Sequence, residues 1–466
     1  MRRTVWAVVA GSALLAMTVV PFSCFEGGAN MNMQGPGNND QGGVDLGGDG
    51  NNHTGFTSAP MGAIAVAPDG SYFLSSSQSR LVQGVLATGK IHVVSEVDDP
   101  GRVAMAHTAA RYYVLSKSTL QLYAVSSSDR SVLWFASTKG LGSPVRVYTS
   151  KDDKYLVLAG PSSLVVRDAA AGKELWTASP GTIRDVDITP DSKTAVVTLT
   201  HTWNGSTPSK PVRLVDLATG KATVLTVPNC TSAMVLSPDG AYGFLAPTTC
   251  VDPNARSGDA YDPVSVIDLK KKTFVRNLPG FGPVSMASDG ETAVAFMDAD
   301  NLDLSLFDDK SQAPSSVSGR YHLMLLDTKT LKFTSVPLGD SLPRYTLTPD
   351  GKVVLIDPGS LWTAGGIQIL DVATRTLHKV AGKELTLNHF VFSPNSADVY
   401  LLHAQDLYWL SVTKRAVTNK NTSVVCASLN ITTDGAYLLI KDYDHAVHLY
   451  DLSSDTVVHT MTVGTK

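Results

Sequence analysis

VSVIDLKKKTFVRNLPGFGPVSMASDGETAVAF, residues 264–296, decides the fold. Apolar and β-branched residues alternate with polar ones in short runs, the period of a half-buried strand. Turn residues separate the runs: Asp268 followed by lysines, Pro279-Gly280, and Asp289-Gly290. Pairs such as Asp-Gly suit a tight turn because the carboxylate accepts a nearby backbone N–H and Gly adopts positive φ. The segment therefore reads as the end of one four-stranded antiparallel unit and the start of the next.

The same two hairpins recur in both directions along the chain. The first appears as IAVAPDGSYFLSS at 64, VDITPDSKTAVVTL at 186, MVLSPDGAYGFLA at 234, YTLTPDGKVVLID at 345, FVFSPNSADVYLL at 390 and LNITTDGAYLLIK at 429, with weaker copies at 103 and 145. The second appears as VVRDAAAGKELWTAS at 165, VRLVDLATGKATVLTV at 212, HLMLLDTKTLKFTSV at 322, IQILDVATRTLHKV at 367 and VHLYDLSSDTVVHTM at 447, with looser versions near Leu81, Leu120 and Leu407. The hairpins alternate strictly, giving nine modules of four strands between Met61 and Val463. Such units repeating every 40–50 residues or so predict an all-β protein, a β-propeller of four-stranded antiparallel blades. Nine blades are counted, with eight as the alternative because the modules around 102–137 and 390–420 are the softest. The last module supplies all four of its own strands, so ring closure does not need an N-terminal strand. The repeating carboxylates Asp69, Asp239, Asp350 and Asp434, and Asp216, Asp268, Asp327, Asp371 and Asp451, read as turn caps and not as metal ligands.

The segment 264–296 resembles the YVTN-type repeat of bacterial propellers. LYAVSSSDRSVLW (122–134) and VVRDAAAGKELW (165–176) resemble quinoprotein-type repeats, with Trp134 and Trp176 closing the outer strand. These resemblances cover most of the chain after Met61 and imply fold more than activity. The chain lacks the Gly-His opening and Trp-Asp ending of WD40 repeats, so it is WD40-like only in architecture.

The 38 basic and 42 acidic residues give a net charge of −4, which excludes the strong positive field of a general nucleic-acid binder. At the start, Arg2 and Arg3 precede an apolar run centred on Val5 to Val20, shorter than the roughly 20 residues a membrane span needs. Residues 1–24 thus read as an export signal. The Ser23-Cys24 end resembles that of bacterial lipoproteins, which implies lipidation of Cys24; cleavage without lipid and an uncleaved anchor are the alternatives. Residues 25–58 are rich in Gly and Asn with almost no large apolar side chain, so they read as a disordered tether. Residues 59–466 form the single propeller domain. The expected location is the periplasmic or cell-surface side of a membrane, held by a lipid anchor only, or secretion; the expected state is a monomer.

Disulfides persist outside the cytosol. Cys230 and Cys250 flank the hairpin turning at Pro238-Asp239-Gly240 and are expected to face each other as a disulfide. Cys426, within VVCASL, reads as a small buried side chain.

First-to-second and third-to-fourth turns share one face of a propeller, and here they are nearly all tight. The longest insertions all fall at second-to-third connections of four consecutive modules: 200–211, 247–263, 298–321 and 357–366. Long loops on one face of one sector mark a binding surface. Its candidate residues are Trp203, Arg256, Asp259, Tyr261, Arg320 and Trp362, aromatic and Arg side chains of the kind that dominate binding energy. The third loop also holds Asp298, Asp300 and Asp303, with Asp308 and Asp309, an oxygen-rich cluster of the sort that binds Ca²⁺. Leu302 breaks the EF-hand spacing, so a solvated acidic loop is the favoured reading and no cofactor is expected.

No Gly-x-Ser-x-Gly elbow, His-Glu-x-x-His, phosphate-binding Gly loop or Cys-x-x-Cys is present. The favoured function is a non-catalytic scaffold binding a protein or saccharide ligand of the cell envelope through the long-loop face. The alternative is a propeller-type enzyme, a lactonase-like hydrolase or a quinoprotein-like dehydrogenase, working at the central channel. Charged residues converging on the innermost strands would favour the enzyme, and a plain lining the scaffold.

Overall fold

A computed structural model describes residues 59–60 and 64–462, apart from 78, 144, 201–210, 229–230, 248–262, 315–318, 341–342, 358–365, 382–384, 386, 388, 404–405, 421–423, 425, 443 and 445. Thirty-six strands form nine four-stranded antiparallel sheets, each built from four consecutive strands, and one further short strand joins the second sheet. The protein is a nine-bladed β-propeller. Blade one spans residues 65–98, and the others span 100–137, 146–178, 183–226, 231–278, 281–339, 344–379, 389–420 and 426–461. The two modules with the weakest sequence signal, blades two and eight, are complete.

The sequence pattern of each strand follows from its distance from the axis. Second and third strands are covered by neighbouring blades on both faces, so Arg111–Ser116 and Leu164–Asp168 are buried almost throughout. Outer strands are half-buried at alternate residues and exposed between them, as in Val132–Ser137. The nine hydrophobic clusters lie between blades and not within them. Ala104, Tyr113 and Leu122 of blade two, for example, meet Val147, Leu156 and Leu158 of blade three. Each fully buried Leu or Phe contributes about 1.5–3 kcal/mol, so a lone blade would leave most of its core wet.

Ring closure uses the same packing. Phe73 and Leu86 of blade one join Leu439, Leu449 and Met461 of blade nine in one cluster. The Asn430 amide donates to the Ile64 carbonyl at 2.8 Å, and Lys441 Nζ donates to the Ser76 carbonyl at 2.9 Å. Each blade keeps its own four strands.

The turns are cross-linked in two ways. Within the first-to-second turn, a Ser or Thr hydroxyl donates to an Asp carboxylate, which in turn accepts a backbone N–H. Ser237 Oγ donates to Asp239 Oδ1 at 2.7 Å, and the Ala241 N–H donates to the same oxygen at 2.9 Å. Gly240 follows at φ 64. Between blades, neighbouring turns abut: a methyl on Gly290 would lie 2.5 Å from Pro238 Cδ, so only Gly fits. Blade two lacks the Pro-Asp-Gly sequence, and Asp153 of blade three substitutes by accepting the N–H groups of His107, Thr108 and Ala109 at 2.6–2.9 Å. The third-to-fourth turns are capped as expected: Asp216, Asp268, Asp327, Asp371 and Asp451 each accept backbone N–H bonds from two or three residues ahead.

One feature has no sequence signal. Ala59–Pro60 pairs antiparallel with Pro100–Met105, the innermost strand of blade two, so it lies on the channel side of that blade. Cys426 is buried, as its apolar context predicts, and its Sγ lies 3.4 Å from the Val424 carbonyl. Cys24, Cys230 and Cys250 lie outside the described residues.

Candidate functional site

Of the sequence-predicted binding residues, Trp203, Arg256, Asp259, Tyr261 and Trp362 lie outside the described residues. Arg320, Asp298, Asp300 and Asp303 belong to the loop between the second and third strands of blade six, and their arrangement is specific. Three short 3₁₀ turns, Ala299–Asn301, Leu304–Leu306 and Lys310–Gln312, are each capped by the carboxylate just before them. Asp298 accepts the Asp300 N–H, Asp303 the Ser305 N–H and Asp309 the Ser311 N–H. This capping explains the density of Asp in the sequence.

Asp298 is the keystone of the loop. It is 3% exposed, and Arg320 grips it with Nε at 3.1 Å from both carboxylate oxygens and Nη2 at 2.8 Å from Oδ2. Asn301 Nδ2 adds a bond at 2.9 Å. Burial pushes the Asp298 carboxyl up, but the bonds from Arg320, Asn301 and the Asp300 N–H outweigh it and hold the group below the usual carboxylate range. Asp298 holds the Arg320 guanidinium charged, above its ordinary value, and that guanidinium also stacks 5.2 Å from the Tyr321 ring centroid. Asp300 lies 3.6 Å from Arg320 Nε, so two of the three candidate metal ligands converge on a cation, while Asp303 serves a separate turn. Among the described residues no group of three His, Cys, Asp or Glu side chains is placed to hold a metal ion.

The loop is also bolted to the body. Phe307, 5% exposed, packs edge-on against Phe333 at 5.4 Å within the cluster between blades five and six. Arg276 of blade five pairs with Asp308 at 3.2 Å and donates to the Leu306 carbonyl at 2.9 Å. A polar insertion is thereby held in one conformation over the joint between two blades, which lowers the entropy lost when it binds something.

Beside this loop face, the channel mouth carries charge that strand patterning did not single out. Aligning the blades on their first-to-second turns places Arg102, Arg146, Asp185 and Arg344 at one level of the innermost strands, with Arg184 next to Asp185 and exposed. In blades two, four, five, six and nine the register shifts near this level, a bulge that re-aims side chains. Arg146 Nη1 donates to the Arg184 carbonyl at 3.0 Å and sits 3.5 Å from Asp185 Oδ1. Asp185 Oδ2 reaches past its own blade to accept the Met234 N–H at 3.1 Å. Asp357, fully buried, accepts the Leu387 N–H of the next blade at 2.9 Å, and Ser285 Oγ accepts the Leu347 N–H at 3.2 Å. The acidic and hydroxyl groups here join blade to blade, while the mouth also carries four arginines. Their signal in the sequence is faint: Arg102, Arg146 and Arg344 each stand four residues before the residue that opens the first-to-second turn, Ala106, Ser150 or Thr348, which is visible only once the blades are aligned.

Comparison with known proteins yields fold and nothing narrower. No family model and no curated protein sequence matches the chain. Among solved structures, the chain is similar to a eukaryotic initiation factor at TM-score 0.52 and 10% identity, covering 76% of this chain and 86% of that one. It is also similar to the dihydro-heme d1 dehydrogenase NirN in complex with DHE, at TM-score 0.48 and 14% identity, covering 76% and 74%. A third similar structure is Kuenenia stuttgartiensis hydrazine synthase, at TM-score 0.37 and 17% identity, covering 66% and 94%. At these identities the likeness is one of architecture.

Proposed function

We infer that the protein is an exported binding propeller, anchored by lipid at Cys24 and held off the membrane by residues 25–58, that presents its long-loop face to a protein or saccharide ligand of the cell envelope. The observation that carries this reading is the construction of the 298–314 loop. A long, largely polar insertion is capped three times, clamped by Arg320–Asp298 and pinned by Phe307 in the cluster between blades five and six. Such an ordered, polar-topped loop suits a preorganised recognition surface. In the sequence, the further insertions at 200–211, 247–263 and 357–366 likewise connect the second and third strands of blades four, five and seven. The YVTN- and quinoprotein-like repeats supply the scaffold.

A second reading, a propeller-type enzyme at the central channel, is favoured by one observation: Arg102, Arg146, Arg184 and Arg344 lie on the innermost strands of four blades, near their loop-side ends, a positive bias toward an anionic substrate group. Affinity capture from envelope extract separates the two. The bait chains are the intact protein, one with residues 299–314 replaced by a short Gly-Ser link, and Arg102→Ser. A partner held by the intact protein and Arg102→Ser but lost with the shortened loop supports the loop face. A partner lost with Arg102→Ser and kept by the shortened loop moves the site to the channel.

A further inference from the structure

The opposite face, where the tight turns lie, holds a cleft of about 340 Å³ between blades eight and nine. Blade eight supplies Asn395, Asp398, Tyr400 and Trp409, and blade nine supplies Asp434 and Leu452. The aromatic pair departs from the repeat. At the position of Tyr400 most other blades carry aliphatic or Phe side chains, such as Leu355 and Leu439, with Tyr113 in blade two. Opposite it, where blade eight has Trp409, blade two has Ala124 and blades seven and nine have Ile369 and Leu449, so only blade eight pairs a Tyr with a Trp here. These large side chains are not needed to make a blade.

Three observations define what the cleft would hold. Trp409 Nε1 donates to Asp398 Oδ1 at 2.7 Å, which fixes the indole as a wall of the cleft. Tyr400 is 94% buried (6% exposed), yet its hydroxyl lines the cleft without a hydrogen-bond partner among the described residues. Burial, with the charges of Asp398 and Asp455, pushes that phenol up to about 12, so it stays protonated and neutral. With no protein group bonded to it among the described residues, this hydroxyl is available to accept a hydrogen bond from a donor that enters the cleft. Finally, both Asp398 and Asp434 line the cleft and no Lys, Arg or His does. The Thr432 hydroxyl and the Ala436 N–H hold Asp434 below the usual carboxylate range, so it is ionised.

We propose that this cleft binds an alkylammonium group, carried by a lysine side chain or by a free amine. The ammonium would sit between the Asp434 carboxylate and the Tyr400 oxygen, with its alkyl stem along Trp409 and Leu452. An indole wall adds cation–π attraction, and the cleft volume suits a group of this size. The site is independent of the loop face on the other side of the ring.

The test is a ligand-observed NMR titration of the full chain at constant ionic strength. The probes are Nα-acetyl-lysine methylamide, butylammonium, the norleucine counterpart of the lysine probe, and glucose. Both amines are expected to bind while norleucine and glucose do not, and binding by butylammonium alone would assign the site to free amines. Tyr400→Phe removes only a hydroxyl with no protein partner among the described residues, so it should leave the denaturation midpoint unchanged while weakening amine binding about tenfold to a hundredfold, as loss of a hydrogen bond to a charged group does. Asp434→Asn should weaken it at least as much. The proposal is overturned if neither amine binds at tens of millimolar, if norleucine or glucose binds as well as the lysine probe, or if both variants bind like the wild type.

Discussion

Trp176 closes the outer strand of blade three and leans on the third-to-fourth turn of blade four, where Gly220 sits at φ 71. A methyl at Gly220 would lie 2.9, 3.0 and 3.3 Å from Cδ2, Cγ and Cε3 of the indole. Contact between carbon atoms is comfortable at about 3.5–4.0 Å, so the ring must retreat by several tenths of an ångström. Retreat strains the bond from Trp176 Nε1 to the Leu217 carbonyl, now 2.8 Å. Gly220→Ala thus carries two costs: about 1–2 kcal/mol for placing Ala in the left-handed region and about 1 kcal/mol for the displaced indole and its hydrogen bond. The expected total is about 2–3 kcal/mol, read from urea denaturation midpoints and slopes. With Trp176→Ala already in place only the backbone cost remains, so the two changes should couple by about 1 kcal/mol in a double-mutant cycle. Gly140→Ala, at φ 91 with open space around it, is the control and should cost the backbone part alone. Additivity within about 0.5 kcal/mol would refute the claim that this joint between blades is a steric fit. The same joint recurs where Trp134 meets Gly172 and, across the ring closure, where His459 meets Gly89.

Other outcomes follow from the same geometry. Lys272, Arg375 and Arg415 occupy the left-handed turn position that Gly220 fills in blade four, so Lys272→Gly, at an exposed site, should raise stability by about 0.5–1 kcal/mol in the same assay; a loss would show that the lysine side chain matters more than its backbone. Hydrogen bonds from the Thr219 hydroxyl, the Thr330 N–H, the Thr374 N–H and the Thr432 hydroxyl depress the carboxyls of Asp216, Asp327, Asp371 and Asp434. As pH falls the unfolded chain takes up these protons first, so the stability they confer is complete above about pH 4 and is lost as pH drops through the lower folded values. Burial likewise lowers the pKa of His107, so a smaller loss should begin below about pH 6.5; a denaturation midpoint constant from pH 7 to 3 would contradict both. Cys24→Ala should release the protein from membranes on fractionation, and unchanged retention would count against lipidation. Non-reducing peptide mapping should join Cys230 to Cys250, and alkylation of both as thiols would remove that bond.

Most of the nine blades were legible because they repeat a chemical sentence: alternating strand, hydroxyl, Asp or Asn, left-handed residue, strand. Each of those residues answers to its immediate neighbours, so a local reading finds it. The contacts that assemble the ring are different in kind. Asp185 bonding to Met234, Asn430 to Ile64 and Asp153 to the turn at His107 all join residues about 45 or more positions apart, and no local period announces them. Asp298 shows how the same letter changes meaning. A run of carboxylates looks like a cation site, but Arg320, 22 positions away, lies against Asp298 and Asp300, Arg276 pairs with Asp308, and Asp303 and Asp309 are caps. The cleft of Tyr400 and Trp409 went unnoticed because aromatic residues in strands are ordinary core residues, and only their place between two blades makes them a wall.

The short pairing of Ala59–Pro60 with the innermost strand of blade two has a consequence for the hub of the ring. Among the described residues, the first strand of every other blade is the last of its sheet and leaves a row of N–H and C=O groups unpaired toward the axis. Pro100–Met105 instead has a strand on each side, so part of that row is covered and a foreign strand cannot dock there. One spoke of the wheel is blunted at its axle.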